Sequence, residues 1–249
     1  MDTILLALLV LAVLVLLVFV LLRPREKETT LYETPVLHRL ILAEQVPFYR
    51  QLSDDKQKEF EQRVQHFLSN VKITGVKTEV EDLDRVLIAA SAVIPIFHFP
   101  GWEYMNLREV LLYPDSFSHE FQIQGQGRHI LGMVGDGPLN QVMLLSQHEL
   151  RQAFINTSGK TNTAIHEFIH LVDKTDGAVD GVPEAILQQQ YIVPWLQLMR
   201  KKIQEIMDNR SDINPYGAGS DAEFFAVVSE YFFERPDLLK EKHPELYDA

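Results

Sequence analysis

Three residues of the chain, His166, Glu167 and His170, have the types and spacing needed to bind a metal and activate water. On an α-helix, residues four apart lie on one face with their Cβ atoms about 5–6 Å apart, so two imidazoles can reach one zinc ion. Glu167 follows the first histidine, so its carboxylate can approach a water on the metal without occupying a coordination position. We predict a zinc site with His166 and His170 as ligands and Glu167 as the catalytic base.

The residues around this triplet are apolar, which indicates a buried helix. They are Ile165, Phe168, Ile169, Leu171 and Val172. Burying two imidazoles and a carboxylate without partners costs free energy, and a bound metal removes that cost. Asp173 follows on the same face and could accept the remaining ring N–H of a ligand histidine. The alternative for Asp173 is a surface aspartate at a helix end.

A catalytic zinc ion needs a third protein ligand and an open position. The candidates are Glu223 and Glu230, which lie two turns apart on one face of the apolar segment 220–234. Glu223 has a competing role, because Ser220-Asp221-Ala222-Glu223 is a capping box in which Glu223 binds the Ser220 amide. Spacing alone leaves the two glutamates nearly equal as ligands.

The elements that must position these residues are helices mixed with a few strands. Ser53 is a candidate N-cap for a helix with repeated apolar positions, and the stretch from Val86 to Ile96 predicts a buried helix. Glu109 to Tyr113 and Val142 to Leu145 predict strands. Because helices and strands do not alternate regularly, we predict an α+β domain over residues 46–249.

Composition excludes several classes of function. The chain of 249 residues contains no cysteine, which excludes disulfides, thiolate zinc ligands and cysteine nucleophiles. Its formal net charge is −12. Nucleic-acid binding depends on lysine and arginine side chains that neutralise phosphates, so we predict no nucleic-acid partner.

The beginning of the chain is strongly apolar. Residues Ile4 to Leu22 form an unbroken hydrocarbon run, and a helix of that length would be roughly 28 Å long at 1.5 Å per residue, close to the ~30 Å core of a bilayer. A cleaved signal peptide is the alternative, but Asp2 and the lack of a small-residue cleavage site argue against it. We predict a single transmembrane helix at residues 1–22 that contacts the lipid bilayer through residues 4–22.

Basic side chains follow the apolar run at Arg23, Arg25 and Lys27. The positive-inside rule then places the large domain in the cytoplasm, with the chain crossing the cell (inner) membrane once. We expect a linker at residues 23–45 between the anchor and the domain.

Two blocks of the sequence resemble the Mlc titration factor A peptidases, which are glutamate-type zincins distantly related to anthrax lethal factor. One block runs from His166 to Pro183 and includes Gly177 and Gly181-Val182-Pro183, and the other is Ala222 to Phe233. The similarity extends loosely from about Pro47 to Tyr247. It implies a zincin-like metallopeptidase domain, although the soluble members of the family lack an anchor.

The resemblance also implies roles for individual residues. It places the third zinc ligand at Glu223 and a catalytic tyrosine, seven residues earlier, at Tyr216. Glu230 would then be a supporting carboxylate. The strand Val142 to Leu145 would be the edge strand that pairs with an extended peptide substrate.

Together these features predict a membrane-anchored peptidase with one Zn²⁺ per chain, acting on peptide or protein substrates. Glu167 would take a proton from the activated water and pass it to the leaving amine, and Tyr216 would donate a hydrogen bond to the oxyanion. The alternative, suggested by the family's name, is a membrane-tethered binding module that sequesters a cytoplasmic regulatory protein, with structural zinc. An intact Glu167 favours the enzyme, because structural zinc normally takes four protein ligands and has no use for this carboxylate.

Overall fold

A computed structural model describes residues 32–117, 131–135, 140–156 and 158–249 of the chain. Within these ranges the helices and strands are α1 (Val36–Gln45), α2 (Pro47–Arg50), α3 (Asp54–Asn70), β1 (Lys72–Gly75), α4 (Asp82–Ile96), β2 (Glu109–Tyr113), β3 (Gly132–Val134), β4 (Val142–Ser146), α5 (Gln147–Ile155), α6 (Thr163–Asp173), α7 (Gln189–Met207), α8 (Asp221–Glu234), α9 (Pro236–Lys242) and α10 (Pro244–Tyr247). Short 3₁₀ helices span Lys174–Asp176 and Pro215–Ala218. The α+β part of the predicted fold class is confirmed.

The four strands form one sheet in the order β1-β2-β4-β3. β1, β2 and β4 are parallel, and β3 is antiparallel to β4. β4 is almost entirely buried, with Met143 fully enclosed, as expected for a strand that has a neighbour on each side. The prediction that Val142 to Leu145 is an edge strand is therefore wrong, because β3 lies outside it.

Helix α6 passes through the main apolar core. The ring of Phe168 is fully buried and lies 5.7 Å from that of Phe67 on α3 and 5.2 Å from that of Tyr104, measured between centroids. Asn162 starts the helix, since its side chain accepts a hydrogen bond from the backbone N–H of Ile165. The core and the cap together fix the direction in which α6 presents its polar face.

Helix α8 packs against α6 and is held by apolar contacts on more than one side. Ala226 belongs to the main core, whereas Phe224 and Tyr231 belong to a second buried cluster shared with α7 and the C-terminal helices. Ser220 caps the helix and accepts a hydrogen bond from the N–H of Glu223 at 3.2 Å. This hydrogen bond holds the first turn of α8, from which the Glu223 side chain projects.

The first described helix is part of the folded domain. Leu42 of α1 is fully buried in the main core, and Arg39 donates to the buried Glu61 of α3 at 3.1 and 3.2 Å. This helix occupies the second half of the segment 23–45, for which the sequence predicts a linker.

The structure does not support the transmembrane helix that the sequence predicts as part of the fold class. No helix within residues 32–117, 131–135, 140–156 and 158–249 is both long enough and apolar enough to cross a membrane. The apolar helix α4 has 15 residues, about 22 Å, and α7, the longest of the described helices, carries charged side chains such as Arg200 and Lys201. The apolar run 4–22 lies outside the described residues. The fold class is α+β, and the cytoplasmic location stays a prediction.

Candidate metal centre

Two helices bring together the side chains that could hold a metal. His166 and His170 project from α6 and Glu223 from the first turn of α8, and their ligand atoms lie within 4.8 Å of one another. The two Nε2 atoms are 3.1 Å apart, and the Glu223 Oε2 lies 3.0 Å from the Nε2 of His166 and 3.6 Å from that of His170. Two ligands about 2.0–2.1 Å from a tetrahedral ion are about 3.3 Å apart, so this triangle has the size of a zinc site.

The other predicted ligand candidate, Glu230, lies on the opposite side of the His166 ring. Its Oε1 accepts a hydrogen bond from Nδ1 of His166 at 2.7 Å. Glu230 thus fixes the ring with Nε2 directed toward His170 and Glu223. The geometry therefore distinguishes the two glutamates, which sequence spacing leaves equal as candidate ligands. Glu223 lies next to the Nε2 atoms of the two histidines, whereas Glu230 binds the Nδ1 atom on the other side of the His166 ring.

The two carboxylates also determine the charge of His166. Burial lowers the pKa of this imidazole, but hydrogen bonds to Glu223 and Glu230 outweigh that effect and raise the pKa to about 10. Burial likewise raises the pKa of Glu223, but the hydrogen bonds from His166 and His170 bring it down to about 2. The cluster is therefore built to hold positive charge between carboxylates, as a metal cation requires.

Glu167 lies in a buried position against the edge strand. Its side chain is 6% exposed, and burial raises its pKa to about 7, against the opposing effect of the two neighbouring histidines. A carboxyl group with a pKa near 7 can take up and release a proton at neutral pH, which suits a general base. A Cβ atom at Gly132 of β3 would lie 2.7 Å from Cγ of Glu167 and 2.8 Å from its Oε1. The absence of a side chain at Gly132 therefore lets the strand approach this carboxylate.

Tyr216 stands at the mouth of the cluster. It lies on the 3₁₀ helix Pro215–Ala218, where the Asn214 side chain accepts a hydrogen bond from the Tyr216 N–H at 3.1 Å. Its ring centroid is 5.9 Å from that of His166, and the side chain is 61% exposed. Partial burial and the nearby Glu223 carboxylate raise the pKa of Tyr216, so its hydroxyl keeps its proton at neutral pH.

Asp173 has a different partner from the one predicted. Its Oδ2 accepts a hydrogen bond from the backbone N–H of Gly181 at 2.8 Å, and it makes no hydrogen bond to a histidine. Its Oδ1 and the Nδ1 of His170 are both buried and make no hydrogen bond within the described part of the chain. Asp173 therefore secures the loop after α6, while one of its oxygens stays available.

Gly181 is a close junction between the loop and two helices. Its φ is +75°, and a Cβ atom there would lie 2.4 Å from the carbonyl oxygen of Asp221 at the start of α8. Its own carbonyl accepts a hydrogen bond from the Trp195 indole on α7 at 2.7 Å. Gly181 therefore binds the end of α6 through Asp173 and packs closely against the first turn of α8, which carries Glu223.

Among the described residues, one side of the β3 backbone next to Glu167 has no strand as a partner. Bonds at Leu131 and Gly135 join the strand to β4. Because backbone groups of an antiparallel strand alternate in direction, the N–H and C=O groups of Gly132 and Val134 point away from β4. Among the described residues no strand pairs with that side of β3.

Sequence reasoning gave no role in the centre to three residues that shape it. Asn162 has a local signal, since an asparagine directly before an apolar helix is a favoured N-cap. Gly132 and Gly181 carry no local signal, because their role depends on which distant side chains and carbonyls approach them.

Comparison with known proteins relates this chain to a family of metallo-peptidases and to several similar sequences. The family model described as Glucose-regulated metallo-peptidase M90 matches residues 22–249. The uncharacterized protein slr2042 of Synechocystis sp. is 29% identical over 237 residues, which are 90% of this chain and 86% of that protein. Mlc titration factor A of Pectobacterium atrosepticum is 27% identical, with 81% and 80% of the two chains covered. Mlc titration factor A of Escherichia coli is 26% identical with the same coverage.

Proposed function

The chain belongs to the family described as Glucose-regulated metallo-peptidase M90, and we propose that it hydrolyses peptide bonds with a single zinc ion held by His166, His170 and Glu223. The observation that carries this proposal is the convergence of three ligand atoms beside a buried glutamate whose pKa is about 7. Among the described residues the cluster contains three candidate ligands. A structural zinc site takes four, so a three-residue site leaves a position for water and substrate.

The protein's own residues divide the chemistry between them. A zinc ion at this site supplies Lewis-acid polarisation of the scissile carbonyl and lowers the pKa of water. Glu167 takes the proton of the attacking water and returns it to the departing amine. Tyr216 donates its hydroxyl proton in a hydrogen bond to the developing oxyanion.

Supporting groups hold this machinery in place. Glu230 orients His166 through Nδ1 and would keep Nε2 of that ring turned toward a bound metal. Oδ1 of Asp173 and Nδ1 of His170 make no hydrogen bond within the described residues, so the support of His170 by Asp173 stays a prediction.

The substrate that best suits the site is an extended peptide. The outward N–H and C=O groups of Gly132 and Val134 can add a peptide to the sheet as a further strand. Because Gly132 touches Glu167, a peptide bound along β3 passes directly beside the general base.

The test is cleavage of a quenched fluorescent peptide library by the full-length chain loaded with zinc, with Glu167→Gln alongside and zinc content measured in both. We expect cleavage by the parent protein and a loss of about 10²–10⁴-fold in Glu167→Gln, with one zinc ion retained per chain. Equal cleavage by the two proteins, or a parent that binds no zinc, would overturn the proposal.

A second candidate function rests on the names of the relatives. Mlc titration factor A is the name of homologues that cover about four-fifths of this chain, and it suggests binding of a regulatory protein. If the parent and Glu167→Gln both contain zinc and neither cleaves any peptide, this candidate is favoured. Binding of the regulatory protein Mlc by the two proteins with equal affinity would then support it.

A further inference from the structure

We infer that Asn162 and Glu234 act together as a latch that positions Glu230 and, through it, the metal ligand His166. This inference rests on the proposed metal site and adds positioning residues to it. Neither residue approaches the metal cluster as a ligand, so the latch acts through hydrogen bonds one step further away.

Glu230 is the first part of the latch. It is 5% exposed, and both of its carboxylate oxygens are engaged. Oε1 accepts from Nδ1 of His166 at 2.7 Å, and Oε2 accepts from the backbone N–H of Asn162 at 2.6 Å. The position of the Asn162 backbone therefore helps to set where Glu230 holds the imidazole.

Asn162 is the second part. It is fully buried, and its side-chain amide makes two hydrogen bonds, one as an acceptor and one as a donor. Its Oδ1 accepts from the N–H of Ile165 at 3.2 Å, which caps α6, and its Nδ2 donates to Oε1 of Glu234 at 2.8 Å. Glu230 and Glu234 are four residues apart on α8 and so lie on one face of that helix. The start of α6 is bound to both.

The arrangement solves an electrostatic difficulty. Two carboxylates one helical turn apart in a largely buried place repel each other, and each favours a donor of its own. Burial raises the pKa of Glu234 to about 7, while the hydrogen bond from Asn162 opposes this shift and the Glu230 charge adds to it. Asn162 supplies a donor to each carboxylate, the backbone N–H to one and the amide Nδ2 to the other.

A capping role alone would explain Oδ1 of Asn162 but not Nδ2. Serine is about as good an N-cap as asparagine, is also neutral, and lacks the amide that reaches Glu234. Asn162→Ser therefore separates the two roles: it keeps the cap and removes the latch. At the other end, Glu234→Gln keeps an acceptor oxygen, whereas Glu234→Ala removes it.

The readout is the zinc dissociation constant of the full-length chain, measured by competition with a chromophoric chelator, together with the visible absorption spectrum of the Co²⁺-loaded protein. We expect Asn162→Ser and Glu234→Ala to bind zinc about tenfold more weakly and to change the Co²⁺ bands, because outer partners of metal ligands affect affinity at about this level. Glu234→Gln should stay near the parent value. Glu241→Ala, which removes the same charge from the exposed surface of α9, should leave both measurements unchanged.

Parent-like zinc affinity and Co²⁺ spectra in both Asn162→Ser and Glu234→Ala would overturn the latch, even if the parent proves to be an active zinc peptidase. A parent that binds no metal would overturn the proposed metal site itself, and the latch with it. If Asn162→Ser does not fold, the comparison of Glu234→Ala with Glu234→Gln decides the question, because Glu234 is only partly buried.

Discussion

Replacing Gly132 with alanine should reduce peptide cleavage without removing the metal. The added Cβ would lie 2.7 Å from Cγ of Glu167, 2.8 Å from its Oε1 and 2.9 Å from Cγ2 of Thr163. Carbon atoms in good contact are about 3.5–4.0 Å apart, so Glu167 or the strand must move by about 0.8–1.3 Å. A displacement of about 1 Å in catalytic geometry costs about 10²-fold in rate, or about 2.7 kcal/mol in the barrier.

The assay is kcat/KM for a fluorogenic peptide together with zinc content, for the parent, Gly132→Ala and Gly159→Ala. Gly159 is a suitable control because its nearest contacts are with Asn156, where an added Cβ would lie 3.3 Å away. We expect a loss of about 10²-fold in kcat/KM for Gly132→Ala alone, with zinc retained, since no metal ligand is among the three atoms nearest to the added Cβ. Parent-like kcat/KM would refute the argument that the strand limits the position of Glu167. Loss of zinc would refute the claim that the effect is confined to Glu167.

Two further predictions concern metal binding and stability. Because the pKa of His166 is raised to about 10, a metal ion must displace the proton of this imidazole at neutral pH. Zinc affinity should therefore rise by up to about tenfold per pH unit between about pH 6.5 and 8.5. Competition with a chelator across that range measures the affinity, and an affinity that does not change with pH would contradict the prediction. Gly181→Ala should destabilise the protein by about 1–3 kcal/mol more than Gly101→Ala in denaturant unfolding. Both glycines have a left-handed φ, +75° and +74°, but an added Cβ meets the Asp221 carbonyl only at Gly181 and nothing within 4 Å at Gly101, so equal losses would show that the contact is harmless.

Part of the candidate metal centre could be predicted from the sequence because it depends on a single helix. The four-residue spacing of His166 and His170 places both rings on one face of any α-helix, whatever surrounds it. The apolar residues between them predict its burial, and the structure places α6 in the core. The buried strand at Glu109 to Tyr113 and the helix that includes Val86 to Ile96 are confirmed for the same reason, since their patterns are local.

Other features could not be read in this way because they depend on which elements become neighbours. The continuous apolar run from Val142 to Leu145 marks β4 as buried, but it does not say whether another strand lies beyond it, and β3 does. Asp173 has the right spacing to support a histidine, yet the loop returns Gly181 to its Oδ2. The apolar run at residues 4–22 satisfies a membrane criterion of length and hydropathy, but no described helix does.

The sequence by itself determined the histidine pair of the candidate metal centre, the glutamate beside it that we propose as the general base, and the mixture of helices and strands. Only the tertiary structure decided that Glu223 faces the Nε2 atoms while Glu230 holds His166 from behind, and that Gly132 meets Glu167. The physical reason is the range of the forces involved. Helical spacing follows from hydrogen bonds between residues four apart, whereas the placement of α8 and β3 around α6 follows from packing between segments far apart in the chain.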